Sequence, residues 1–262
     1  MTSKDLDFGK NIEFSTKKRF GIILLNRVHR SNAFTIDLLR NLKKAIEYCQ
    51  EENKIRGVLL TNNGDSFSTG MDLDFIDGSD HEAVKELEGT AAEICELLFN
   101  GKPSICAING RTMGEGAVFL ECCDYRIATR ESFFQMPEIY SGIFPGTGCV
   151  ILFTKIIGIN WTKRLLMWAE RISAQKALEI NFIDEIAENQ EDLMKKALDK
   201  ARFISTKNQT VINAIKLCAN HFLDKSYKRA YELEKQASAW YEHEEKEKFI
   251  DDFRDMVKGA NS

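Results

Sequence analysis

Two short stretches set glycine beside residues whose backbone could meet a ligand: STGMDL at 68–73 and MGEGAV at 113–118. Glycine lets the chain come close to a bound group. Gly70-Met71 and Gly114-Glu115-Gly116 would each bring exposed N–H groups to the mouth of a strand-to-helix connection. Two such groups aimed at one point make an oxyanion hole, which stabilises a carbonyl or thioester oxygen as it gains charge. A third glycine-rich stretch, MPEIYSGIFPGTG, holds the carboxylate Glu138. On local pattern alone all three read equally well as turns of an α/β domain.

The elements that would position these loops follow from hydrophobic period. IEFS and FGIILLN read as strands of a hairpin. In TIDLLRNLKKAIEYCQEE, Ile36, Leu38, Leu39, Leu42, Ala45, Ile46 and Cys49 share one helical face, with Thr35 and Asp37 as candidate caps. RGVLLTN is a buried strand, AVKELEGTAAEICELLF a helix, PSICAING a strand, GAVFLECC a helix and DYRIAT a strand. This alternation predicts an α/β core with short connections. Asp72 is expected to cap a following helix, Asp124 to support the turn from helix to strand, and Glu121 to pair with a buried cation.

Beyond about residue 190 the period is helical throughout, so the chain divides into an α/β core over 1–195 and a helical region over 196–262. The final segment carries Tyr227, Ala230, Tyr231, Leu233, Ala237, Trp240 and Tyr241, a surface expected to pack on the core or on another subunit. Its EHEEKEK run, mixed in sign, reads as a solvated face.

Composition narrows the function classes. The 262 residues hold 36 Lys plus Arg against 40 Asp plus Glu, a formal charge of −4, with no basic stripe to draw a phosphate backbone. Nucleic acid is not an expected partner. The polar first ten residues and the short GIILL run supply neither a signal segment nor a membrane span, which points to the cytoplasm. Seven cysteines, an odd number scattered through apolar segments, suit reduced core thiols. Four dispersed histidines and no CxxC spacing give no reason to expect a metal.

Taken in order, NRVHRSNAF, DSFSTGMDL, KPSICAINGRTMGEGAVFLECCDYRIAT and FFQMPEIYSGIFPGTG resemble the crotonase superfamily of enoyl-CoA hydratases and isomerases over residues 20 to about 190. ISAQKALEINFIDEI resembles the segment that follows the core in that family. The resemblance implies a spiral of repeated ββα units, a C-terminal helical region used for trimerisation, and a homotrimer or dimer of trimers. It implies an acyl-CoA substrate and no cofactor beyond the coenzyme A that the substrate carries. By position, the N–H groups of Met71 and Glu115 would form the oxyanion hole. Arg30 to Ala33, Ser68 and Thr69 would lie near the nucleotide and pantetheine, and Gly70, Gly114, Val118 and Tyr140 are further candidate substrate-binding residues; Met136, Tyr140 and Phe144 either line the acyl pocket or are ordinary core.

The carboxylates bear on the reaction. Family hydratases use two glutamates; this chain keeps the second as Glu138 but has Val118 in place of the first. A valine cannot activate water. A single carboxylate is sufficient to move a proton between two carbons of an enolisable thioester, as in 3,2-enoyl-CoA isomerases. The same pattern suits decarboxylation of, or carbon–carbon bond formation from, a malonyl-type thioester. It also leaves open hydration with Glu115 as substitute carboxylate, or acyl-CoA binding without catalysis.

Overall fold

A computed structural model describes residues 6–220. The chain opens with an antiparallel hairpin, β1 (Ile12–Lys17) and β2 (Phe20–Leu25), and then forms the helix α1 (Ile36–Glu51), whose N-terminus is capped by the Thr35 hydroxyl accepting from Leu38 N–H. The buried side of α1 comprises Leu38, Leu39, Leu42, Ala45, Ile46 and Cys49, as its period requires.

Three turns of one repeat follow. In the first, β3 (Gly57–Asn62) and β4 (Ser66–Ser68) precede α2 (Leu73–Asp77) and α3 (His81–Asn100). In the second, β5 (Ser104–Ile108) and β6 (Arg111–Met113) precede α4 (Glu115–Glu121). In the third, β7 (Tyr125–Thr129) and β8 (Phe133–Gln135) precede α5 (Cys149–Met167). The first strand of each turn joins one sheet, ordered β1-β2-β3-β5-β7 and closed by β10 (Glu185–Ala187); the second joins another, ordered β4-β6-β8 and closed by β9 (Ile172–Ser173). Equivalent strands lie parallel and in sequence, so the chain advances as a spiral of ββα units.

The larger core fills the space among the two sheets, α1, α3, α4, α5 and α6 (Ala174–Glu179). A second cluster lies on the other face of the large sheet, where Leu193, Ala197 and Ala201 of α7 (Gln190–Ser205) cover Phe20, Leu59, Ile105 and Ile127. The division expected at residue 195 therefore falls inside α7. That helix belongs to the core, because without it one face of the sheet would be bare.

After a turn at 206–208 the chain is helical over 209–220, and Lys216 ties this helix down: its Nζ meets Asp124 Oδ2 at 2.7 Å and the Leu98 carbonyl at 2.7 Å. Asp124 also accepts from Ser104 N–H at 2.8 Å, so the turn residue anchors two elements. The aromatic segment from Tyr227 to Tyr241 and the EHEEKEK run lie outside the described residues. Six of the seven cysteines are buried and reduced; Cys218 is exposed. Among the described residues no helix is long and apolar enough to cross a membrane.

Candidate active site

The spiral brings the ends of β4 and β6 together, and with them the two glycine loops. Gly70 has φ +85° and Gly114 φ +52°, values that favour glycine. They also touch: a Cβ on Gly70 would lie 3.1 Å from the Met113 carbonyl and 3.3 Å from Glu115 N, and a Cβ on Gly114 would lie 2.8 Å from Glu138 Oε1. Side chains here would push the loops apart and displace the Glu138 carboxyl.

Met71 is held by a parallel bridge to Phe34, in which Phe34 N–H donates to the Gly70 carbonyl at 2.8 Å and Asp72 N–H to the Phe34 carbonyl at 2.9 Å. This pattern uses the groups on either side of Met71 and leaves its own N–H unengaged. Glu115, first residue of α4, has no earlier carbonyl in its helix to donate to. Among the described residues neither N–H donates a hydrogen bond. Two unengaged donors on adjoining loops can hold one oxygen, and the partial positive charge at the start of α4 favours that oxygen becoming anionic.

Around them is a cavity of about 740 Å³. Met71, Gly70, Gly114, Glu115, Val118, Glu138 and Tyr140 line it, as do Arg30, Ala33 and Thr69 and the expected acyl-side residues Met136 and Phe144. Ser68 does not. In the extended run 68–69 neighbouring side chains face opposite ways; Thr69 lines the cavity, whereas Ser68 is wholly buried, donates to the Asn32 carbonyl at 2.9 Å and accepts from Gly70 N–H at 3.1 Å. Its part is to fix the loop. Tyr140 is 73 % exposed and borders the mouth of the cavity.

Glu138 begins a short 3-10 turn, Glu138–Ser141, after Pro137. Its Oε2 is buried and has no hydrogen-bond partner among the described residues, and burial pushes the carboxyl up to about 7. A carboxylate with few hydrogen bonds and little water is a stronger base than one in solution. Val118, which lines the same cavity, is 1 % exposed and brings only apolar surface to it.

Glu115 adds a second carboxyl to the same cavity. It is 7 % exposed; Oε2 accepts from Thr147 Oγ1 at 2.9 Å, and Cys95 Sγ lies 3.8 Å from Oε1. Burial pushes its carboxyl up to about 8; the bond from Thr147 opposes the rise, and the charges of Glu138 and Glu88 add to it. Near neutral pH Glu138 is thus part-ionised while Glu115 keeps its proton.

Glu121, at the far end of α4, is distant in role. Its Oε2 meets Arg126 Nη1 at 2.8 Å, and Arg126 in turn binds Asp184 through Nε at 2.9 Å and Nη2 at 3.0 Å. The expected buried cation is therefore Arg126. Asp72 caps α2 by accepting from Phe75 N–H at 3.3 Å and pairs with Arg27 at 2.6 Å and Arg30 at 3.2 Å. Burial alone would raise its pKa, but these hydrogen bonds outweigh it and hold the carboxyl below its ordinary value. Arg30 also pairs with Asp74, so its charge at the cavity mouth is already compensated.

Several lining residues escaped the sequence reading: Thr147, Leu73, Ile143 and, on α3, Val84, Leu87 and Glu88. The last three were recoverable in part, since positions 84, 87 and 88 have the spacing of one helical face. Thr147 lies 32 residues from the carboxyl it binds, and no local pattern points to it.

Known proteins share this fold. Residues 16–258 match the model of the enoyl-CoA hydratase/isomerase family. The chain is 28 % identical to a crotonyl-CoA hydratase of Syntrophomonas wolfei, over 87 % of this chain and 88 % of that one. It is 27 % identical to a trans-2-decenoyl-(acyl-carrier-protein) isomerase of Streptococcus mutans, over 97 % of this chain and 95 % of that one. The fold superposes on an enoyl-CoA hydratase from Bacillus halodurans with a TM-score of 0.83 at 24 % identity, covering 92 % of this chain and 99 % of that one. With the family model spanning nearly all of the chain and the ββα spiral matching in three dimensions, this protein belongs to the enoyl-CoA hydratase/isomerase family.

Proposed function

We propose that the protein moves the double bond of an enoyl-CoA thioester from C3 to C2, with Glu138 as the acid and base. The thioester oxygen sits between the N–H groups of Met71 and Glu115. The Glu138 carboxylate removes a proton from C2, and the electron pair left behind spreads through C1 onto the oxygen and through the C3–C4 double bond. The same carboxyl, now protonated, returns the proton to C4; the new double bond lies between C2 and C3, and Glu138 is again ionised. No water is consumed. The observation that carries this reading is the desolvated Glu138 oxygen beside Gly114, unpartnered among the described residues, in a cavity where Val118 occupies the position of the first hydratase glutamate.

Among the described residues the cavity is lined by five carboxyls, Asp72, Asp74, Glu88, Glu115 and Glu138, against His29 and Arg30, whose charge Asp72 and Asp74 already compensate. That balance disfavours a substrate with a free carboxylate on its acyl group, and so a malonyl-type thioester. In keeping with the family resemblance, the reading is of a cytoplasmic homotrimer or dimer of trimers that needs no further cofactor.

Glu138→Ala is expected to abolish exchange of the C2 proton of bound acyl-CoA in deuterated water, a loss of about 10²–10⁴-fold. Undiminished exchange removes Glu138 from the mechanism. Hydration is the second reading, favoured by the presence of the Glu115 carboxyl in the same cavity. Robust conversion of crotonyl-CoA to its 3-hydroxy thioester, lost in Glu115→Gln, would establish hydration instead. Tight acyl-CoA binding with neither exchange nor turnover would indicate a binding protein.

A further inference from the structure

The Glu115 side chain is not accounted for by the chemistry above. Only its N–H is needed to hold the thioester oxygen, and any residue would supply that. It is not the cap of α4 either: Gly114 occupies that position, and the carboxyl bonds to Thr147, which lines the same cavity. Among the described residues no cation pairs with it, in contrast to Glu121. Leu73, Ile76, Val84, Leu87, Val118 and Ile143 give the same cavity an apolar lining that suits a hydrocarbon chain, and Glu115, Thr147 and Glu88 interrupt it with polar groups. Burying a carboxyl where aliphatic substrate is to bind costs free energy, and that cost is offset when the substrate brings a hydrogen-bonding partner.

We propose that Glu115 and Thr147 form a recognition point in the acyl pocket for an uncharged hydroxyl group carried by the acyl chain. The placement rests on the thioester orientation given above. One residue then touches the substrate twice, its N–H at the thioester oxygen and its carboxyl further along the chain. The hydroxyl must therefore lie within a glutamate side chain's reach of the thioester, a few carbons past the reacting positions, rather than at the end of a long tail. A protonated carboxyl donates to the hydroxyl oxygen and its second oxygen accepts from the hydroxyl; held neutral by burial, Glu115 offers both. The acidic lining selects a hydroxyl over a carboxylate at the same position.

The test is binding of two saturated thioesters, hexanoyl-CoA and its ω-hydroxy derivative, by calorimetry at neutral pH. The native protein is expected to bind the hydroxylated thioester about tenfold more tightly. Glu115→Leu is expected to reverse that preference, Glu115→Gln to keep most of it because the amide also donates and accepts, and Thr147→Val to weaken it. Equal affinity of the native protein for both thioesters would overturn the proposal, as would a Glu115→Leu variant that keeps the preference. Should Glu115→Leu fail to fold, the Thr147→Val and Glu115→Gln pair decides the matter in the same way. Because neither thioester has a double bond to move, this outcome is independent of whether the isomerase reading stands; that reading is decided by proton exchange in Glu138→Ala.

Discussion

The two ends of α4 each bury a glutamate, six residues apart, and treat it in opposite ways. At the C-terminal end Glu121 lies against Arg126, which is itself clamped by Asp184. At the N-terminal end Glu115 has a hydroxyl and a thiol for company, borders the cavity, and among the described residues meets no cation. Burial pushes both carboxyls up to about 8, but one is tied into the scaffold by a cation and the other faces the cavity with uncharged partners. Burial alone therefore does not mark a functional carboxylate; the charge of its neighbours and its access to a cavity do.

The largest expected effect breaks the scaffold end. Arg126→Ala leaves Glu121 buried with no cation and should lower stability by about 3–5 kcal/mol in urea unfolding. Replacing both partners by apolar residues, as in Glu121→Leu with Arg126→Met, should recover most of that loss, because the cost lies in the unpaired charge. If Arg126→Ala were tolerated as easily as a surface change, the contrast between the two ends of α4 would have no energetic basis.

The same operation at the other end should have the opposite sign. In the unfolded chain Glu115 releases its proton near the ordinary 4.5, whereas the folded protein holds it to about 8. Between these values folding takes up a proton, so this carboxyl lowers stability as pH rises, by at most about 1.4 kcal/mol per pH unit. Glu115→Gln has no such penalty. Its melting temperature should rise above that of the native protein progressively from about pH 4.5 to about pH 8 and hold a constant lead above that, as thermal unfolding at a series of pH values would reveal. A variant less stable at every pH would mean that the Glu115 carboxyl is held by structural partners, as Glu121 is by Arg126.

Which parts of this were legible in sequence follows from how far each signal reaches. The six buried positions of α1 and its Thr35 cap lie within two or three turns of one another, and helical period exposes them directly. The small sheet was invisible: its strands, Ser66–Ser68, Arg111–Met113, Phe133–Gln135 and Ile172–Ser173, are too short to display alternation, and their partners are far along the chain. Those residues read as loops although their pairing is what joins the two glycine turns. Val118 could be read by position because GEGAV sits in a motif of fixed spacing, but the environment of Glu115 depends on α3 and on Thr147, each delivered by a different turn of the spiral. Ser68 misled for the reverse reason: nearness to Gly70 in sequence says nothing about which side of an extended chain a residue faces.

The smallest predicted effect is the sharpest on the order in which the cavity carboxyls ionise. Glu138 must be a carboxylate to take a proton, so exchange at C2 should rise with pH up to about 7, where burial places its titration, and be lost as pH falls below that. Above about 8 Glu115 ionises as well, and a second negative charge beside the developing enolate should bring the rate down again. The native profile is then a bell. In Glu115→Gln the falling limb should disappear while the rising limb stays in place, because Glu115 is still neutral when Glu138 titrates and exerts no charge on it. A rising limb displaced by a full pH unit or more in the variant would mean that the two carboxyls share one proton, and that the acid and base of this cavity act as a pair.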